Sequence, residues 1–210
     1  MKSILILSTC YDVNSSYTAS WAQELHDDLV RQKDTSCFLY DAQYLCRSGT
    51  ALADMVERVD YVVFYGHGTN DSWIALPDLP GASAKVAAIP LVDSGSVSVL
   101  NGRKVYAGCC WSLNGLGNDY HVKFPAGEFV GYSDVFGFES YNEKYFKEIV
   151  HQSVISFING DTAATIATNL KAEWDALRAR FYSGNLRTRQ NAAMAAKVAK
   201  LNSQRIGSKP

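Results

Sequence analysis

The stretch VVFYGHG at residues 62–68 decides the fold of this chain, and the stretch VYAGCCWS at residues 105–112 repeats its pattern. Each begins with apolar, β-branched or aromatic residues, as the buried strands of a parallel sheet do. Each ends in small residues beside a reactive side chain. Neighbouring parallel strands place their carboxyl ends along one edge of a sheet, where open α/β proteins hold their functional sites. The two stretches therefore predict that His67 and Cys110 meet at one sheet edge.

Candidate strands and helices alternate on both sides of these stretches, which predicts an α/β fold with a mostly parallel sheet and helices on both faces. The predicted strands are residues 3–7, 36–40, the run ending at Gly66, 103–107 and 128–131, with a short extension at 73–76. The predicted helices are residues 17–32 (capped by Ser15 or Ser16), 50–59, a short one starting near Ser112, then 141–157, 163–182 and 191–201. Residues 77–95 are rich in Pro, Ala, Gly and Ser, which indicates that they are mostly loop. We expect one domain over residues 1–202 and a disordered tail at 203–210.

Composition excludes several classes of function. The chain has 210 residues, 47% of them hydrophobic, and a net charge of −1 from 20 basic and 21 acidic residues. This balance gives no basic footprint for nucleic acid. No apolar run approaches the ~18 residues that span a bilayer, and the run at residues 4–7 is too short for a signal peptide. We therefore expect no membrane partner and, from the odd count of five cysteines, a reducing cytoplasmic setting.

No metal or cofactor is expected. Zinc sites separate their cysteines by two to four residues, whereas Cys109 and Cys110 are adjacent. The stretch GHGTND at residues 66–71 lacks the third glycine of a dinucleotide-binding loop.

A cysteine and a histidine at one sheet edge can act as a nucleophile and its base. The thiolate is the reactive form of cysteine, and a neighbouring histidine can generate it. The histidine can later protonate a leaving amine. The backbone N–H groups of Gly68 and Cys110 could bind the developing oxyanion, and such donors are worth ~3 kcal/mol each in the transition state.

These motifs resemble the caspase-like cysteine peptidases, which include caspases, metacaspases, gingipain and clostripain relatives, separases and CHAT domains. The family shares a strand ending in His-Gly, here residues 66–68, and a later strand ending in small-Cys. The second motif, AGCCWS at residues 107–112, is similar to the Asp-Cys-Cys-His-Ser-Gly of metacaspases, which makes Cys110 the nucleophile and Cys109 the small residue before it. The stretch from Cys110-x-Ser112 through Leu116-Gly117, followed by GYSD at residues 131–134, is similar to bacterial CHAT-like and gingipain-like members.

The resemblance runs from the first predicted strand to about Phe157, and it implies a three-layer caspase-like sandwich with cysteine endopeptidase activity. It further implies a peptide or protein substrate, and regulation by a separate activating or sensor protein in a bacterial defence or cell-death system. Two departures matter. Gly108 stands where metacaspases carry the aspartate that binds a basic side chain, and Leu113 replaces the glycine that ends their motif. Asp12 and Asp134 are the candidates for an acidic specificity pocket, which would favour Arg or Lys beside the scissile bond.

Two other functions fit the same residues. Residues 108–112 can be interpreted as the nucleophile elbow of a non-peptidase thiol hydrolase, in which the histidine follows the nucleophile and His121 or His151 would have to serve. The chain could also be a catalytically silent binding module with the peptidase fold, since a fold does not determine a function.

Overall fold

Six strands form the central sheet of the computed structural model, which describes residues 1–48, 51–76 and 88–210. They are β1 (Lys2–Ser8), β2 (Thr35–Asp41), β3 (Tyr61–Tyr65), β7 (Lys104–Gly108), β8 (Phe129–Tyr132) and β9 (Ile206–Lys209). Their order across the sheet is β2-β1-β3-β7-β8-β9. All neighbouring pairs are parallel except β8 and β9, which are antiparallel. The prediction of an α/β fold around a mostly parallel sheet is confirmed.

Helices cover both faces of this sheet. They are α1 (Val13–Leu29), α2 (Ala42–Ser48), α3 (Leu52–Val56), α4 (Leu116–Lys123), α5 (Glu143–Ile158), α6 (Ala163–Tyr182) and α7 (Ala192–Arg205). One hydrophobic cluster packs α1, α5, α6 and α7 against one face of the sheet. A second cluster packs residues of α2, α3 and α4 against the other face. Apolar burial on both faces explains why the strand sequences are hydrophobic runs without alternation.

A second, antiparallel sheet follows β3 and consists of β4 (His67–Gly68), β5 (Ser72–Leu76) and β6 (Ile89–Asp93). Trp73 of β5 is fully buried and stacks on Phe64 of the central sheet, with ring centroids 4.7 Å apart. The prediction of loop over residues 77–95 is therefore wrong at β6, which pairs with β5 through tertiary contact that composition does not show. Residues 88, 94 and 95 lie in no strand or helix, as predicted, and residues 77–87 lie outside the described residues.

Helix α1 begins four residues before its predicted start because Asp12 is its N-cap. The Asp12 carboxylate accepts a hydrogen bond from the Ser15 backbone N–H at 2.7 Å, and the Ser15 hydroxyl accepts one from the Asp12 N–H at 3.0 Å. This reciprocal pair is a capping box. Ser15, predicted as the cap, is thus the third residue of the helix.

The short helix predicted to start near Ser112 begins later. Ser112 is buried in a turn, and α4 begins only at Leu116.

The tail differs most from its prediction. Residues 203–205 complete α7, and β9 pairs with β8 from Phe129–Lys209 to Tyr132–Ile206. Without β9, β8 would be an open sheet edge with unpaired backbone groups. Gly207 allows the close packing, because a Cβ there would lie 2.6 Å from Leu113 Cδ2. The short sequence IGSK has weak strand propensity, so its partner strand decides its structure.

Candidate active site

His67 and Cys110 occupy equivalent positions beyond two adjacent parallel strands. Tyr65 at the end of β3 pairs with Gly108 at the end of β7, and each reactive residue lies two positions further along its chain. Neighbouring strands are about 4.8 Å apart. His67 and Cys110 line one cleft of about 340 Å³ at this sheet edge.

The glycine after the histidine allows the two chain segments to touch. A Cβ on Gly68 would lie 2.9 Å from Cys109 Sγ and closer still to the Cys110 carbonyl oxygen. Only a residue without a side chain fits there. The two backbones predicted to supply oxyanion donors, at Gly68 and Cys110, are therefore in direct contact.

The imidazole of His67 is held by Asp12. His67 Nε2 lies 2.8 Å from Asp12 Oδ2, and the Tyr11 ring stacks on the imidazole at a centroid distance of 5.4 Å. Burial opposes ionisation of Asp12, but the hydrogen bonds from Ser15 and the nearby His67 outweigh it and lower the pKa of the carboxyl group. Asp12 therefore binds the His67 imidazole and also caps α1. The sequence analysis placed Asp12 in a specificity pocket and predicted neither role.

Cys110 rests as a thiol. Burial raises the pKa of the Cys110 thiol above its ordinary value, so the thiolate fraction is small at neutral pH. Its Sγ lies 3.6 Å from the Phe136 carbonyl oxygen, to which it donates a weak hydrogen bond. No hydrogen bond joins His67 and Cys110 among the residues that the structure describes.

The turn after Cys110 is unusual in its backbone. Trp111, which also lines the cleft, has a φ of +52°, in the left-handed region, and its N–H donates to the Asp134 carbonyl at 3.0 Å. Ser112 is fully buried and accepts a hydrogen bond from the Tyr132 N–H at 3.2 Å. Strained residues of this kind cluster at functional sites because the surrounding contacts enforce them.

Asp134 is placed differently from Asp12. Its carboxylate forms an ion pair with Arg205 at 3.0 Å and accepts from the Val135 N–H at 2.6 Å. It is not among the residues that line the cleft, although the adjacent Val135 is. Neither of the two candidate acidic residues lines the cleft.

The other histidines lie away from the cleft. His151 is buried on α5, where its Nε2 lies 2.9 Å from the Trp21 carbonyl, and burial lowers its pKa. His121 of α4 lies 2.9 Å from the Pro210 carbonyl. Neither lines the cleft with Cys110, so neither histidine that the nucleophile-elbow interpretation requires after the nucleophile lies in its cleft.

Comparison with protein families finds none that matches the chain, and comparison with curated protein sequences finds no match. In the described ranges, no helix is both long and apolar enough to cross a membrane. Nor do residues 1–48, 51–76 and 88–210 contain a group of three or more His, Cys, Asp or Glu side chains arranged to hold a metal ion.

Two parts of the site were not predicted from the sequence. The first is the Asp12–His67 pair, whose residues are 55 positions apart in the chain. Its one local signal is the Asp-x-x-Ser capping pattern directly after β1. That pattern places Asp12 at the same sheet edge as His67. The residues after β8, including Phe136 and Phe138, wall the cleft and had no motif to mark them.

We expect Gly68→Ala to damage both the site and the fold. The added methyl would overlap the backbone at Cys110, and overpacking of this kind costs about 1–3 kcal/mol of unfolding free energy. Denaturant unfolding and the alkylation rate of Cys110 measure the two effects. Gly95→Ala is the matched control, because its Cβ would meet nothing closer than 3.4 Å. Equal stability and equal Cys110 reactivity in the two variants would contradict the packing argument.

Proposed function

We propose that this protein is a cysteine endopeptidase with Cys110 as nucleophile, His67 as base and Asp12 as the residue that orients His67. One observation carries the proposal. His67 and Cys110 follow paired ends of adjacent parallel strands and line one cleft, with a carboxylate bound to the imidazole. A nucleophile, a base and a group that orients the base make up the arrangement from which acyl-transfer enzymes are built.

Asp12 determines which nitrogen of His67 can act as base. A carboxylate accepts hydrogen bonds, so its contact with Nε2 favours the tautomer that carries its proton there. Nδ1 then keeps its lone pair. Among the described residues Nδ1 has no hydrogen-bond partner, which leaves it available for the thiol proton.

The reaction begins when the Cys110 thiol turns from the Phe136 carbonyl to His67 and gives its proton to Nδ1. The thiolate attacks the scissile carbonyl carbon, and the oxyanion is stabilised by the N–H groups of Gly68 and Cys110. Collapse breaks the C–N bond, forms a thioester and transfers the imidazolium proton to the leaving amine. Water, deprotonated by His67, then hydrolyses the thioester. Catalytic hydrogen bonds are often absent before substrate binds, as between His67 and Cys110 here.

The proposal extends to family and setting. The order of strand, His-Gly, strand and small-Cys in a mostly parallel α/β sheet supports a caspase-like fold. All five cysteines are unpaired, which fits a reducing, cytoplasmic setting. A peptide or protein is the proposed substrate, and a separate activating or sensor protein is the proposed regulator.

Site-resolved labelling tests the proposal. The folded wild-type protein is treated at pH 7 with limiting peptidyl acyloxymethyl ketone, and the modified cysteine is identified by mass spectrometry. We expect labelling at Cys110 to exceed labelling at Cys10, the exposed cysteine of the same chain, and to be lost in His67→Ala. The proposal would be contradicted if labelling followed exposure alone, so that Cys10 was modified first and Cys110 was labelled equally in wild type and in His67→Ala.

A further inference from the structure

The cleft beside Cys110 has two walls. The segment after β8 supplies one wall, with Val135, Phe136 and Phe138, and the start of α1 supplies the other, with Asn14 and Thr18. Among the described residues that line it, only His67 and Cys110 are titratable. The other described residues that line the cleft are aromatic, aliphatic, uncharged polar or glycine.

The two candidate acidic residues already have partners. Asp12 is bound by His67 and Ser15, and Asp134 is paired with Arg205. Neither carboxylate is a lining residue. A lysine or arginine side chain entering the cleft would lose hydration, and none of the described lining residues carries a carboxylate to pair with it, which is unfavourable.

The aromatic wall is supported from behind and does not depend on a ligand. Phe138 packs on Trp21 and Tyr17 of α1, with ring centroids 5.1 and 5.3 Å apart. Between the two phenylalanines, Gly137 exchanges two hydrogen bonds with the buried Asn202 side chain of α7, at 3.1 and 2.8 Å. A preformed wall lowers the cost of binding an apolar group.

We propose that this cleft receives an uncharged, apolar side chain from the residue whose carbonyl Cys110 attacks. The inference rests on the proposed peptidase function and names its substrate class. It replaces the expectation of an acidic pocket for Arg or Lys, since the two carboxylates on which that expectation depended have other partners.

Matched acyloxymethyl ketones that differ only in this side chain test the inference. The Cys110 thiolate displaces the carboxylate of the probe, which leaves a stable thioether. We expect the leucine and phenylalanine probes to label Cys110 at least about a hundredfold faster than the lysine, arginine and aspartate probes, because burying an unpaired charge is costly. Labelling of Cys110 that is equal or faster with a charged probe overturns the inference and leaves the peptidase proposal standing.

Binding to Cys110→Ala separates the pocket from the chemistry. N-acetyl-leucinamide and N-acetyl-lysinamide are titrated into this variant, and the NMR shifts of the Trp111 indole N–H are followed. If no probe labels wild-type Cys110 but the leucine amide alone shifts this signal, the pocket stands and the peptidase proposal fails. If neither amide shifts it, the pocket is wrong.

A negative charge introduced at an exposed residue that lines the cleft should change the preference of the protein between the lysine and leucine probes. Asn14 is exposed and lines the cleft, and Asn14→Asp adds a carboxylate in the first turn of α1, where a helix tolerates negative charge. We expect the lysine-to-leucine ratio of labelling rates to rise about fivefold, the effect of a partly exposed ion pair. Asn169→Asp, an exposed position on α6 outside the cleft, is the matched control and should leave the ratio unchanged. An equal change in both variants would overturn the assignment of the cleft.

Discussion

We expect Cys110→Ala to abolish peptide hydrolysis and covalent labelling, and Cys109→Ala to keep both. The expected loss for Cys110→Ala is at least about a thousandfold in kcat, because without the nucleophile no thioester forms. Cys109 is 1% exposed and belongs to the core cluster that includes Leu113 and Phe129, where a small side chain of either kind is accommodated. Burial also raises the pKa of the Cys109 thiol well above its ordinary value, so it is a poor nucleophile.

The measurement is single-turnover hydrolysis of the best fluorogenic peptide together with mass spectrometry of the labelled protein. Cys109→Ala serves as the matched control, one residue away and with the same change of side chain. Hydrolysis that persists in purified Cys110→Ala would exclude Cys110 as nucleophile. Loss in both variants, with unchanged denaturant unfolding, would mean that the pair acts together and not Cys110 alone.

We expect Asp12→Asn to lower the rate of Cys110 labelling by about a hundredfold or more at pH 7, because it should reverse the tautomer of His67. The asparagine amide can donate to Nε2, which moves the imidazole proton to Nδ1, the nitrogen proposed to accept the thiol proton. Asparagine caps a helix as well as aspartate does, so the free energy of unfolding should change by less than about 1 kcal/mol. A large effect on rate with a small effect on stability is what separates an orienting residue from a structural one.

Asp60→Asn is the control for Asp12→Asn. Asp60 is also a hydrogen-bonded carboxylate with a lowered pKa, but its partner is Ser3, at the opposite end of β1. Its substitution should leave Cys110 labelling unchanged. Labelling of Asp12→Asn at the wild-type rate would show that the Asp12–His67 contact has no part in the reaction.

The lowered pKa of Asp12 also sets where acid affects this contact. The carboxylate partner is lost only as pH falls through the folded pKa, which lies below the ordinary value of about 3.9. Between pH 7 and about pH 5, Asp12 therefore stays ionised. In this interval the ratio of wild-type to Asp12→Asn labelling rates should therefore reflect the presence of the Asp12 carboxylate, because that group does not titrate there.

Local patterns in the sequence were sufficient for the main elements of the fold. The apolar runs predicted β1, β2, β3, β7 and β8 to within a residue or two, because strands buried on both faces must be continuously hydrophobic. The 3.6-residue period predicted α5, and the predicted bounds of α6, residues 163–182, agree with the structure. Both signals are local, since they record which residues within one element face the core.

The same patterns placed His67 and Cys110 at one sheet edge, because a parallel strand pair determines where its following residues lie. Only the tertiary structure decided what surrounds them. Asp12 reaches His67 from another strand end, Phe136 meets the Cys110 thiol from the segment after β8, and β9 closes the sheet through pairing that its own sequence does not favour. Each of these contacts joins residues distant along the chain, and its free energy comes from packing and hydrogen bonds that exist only after the sheet has assembled.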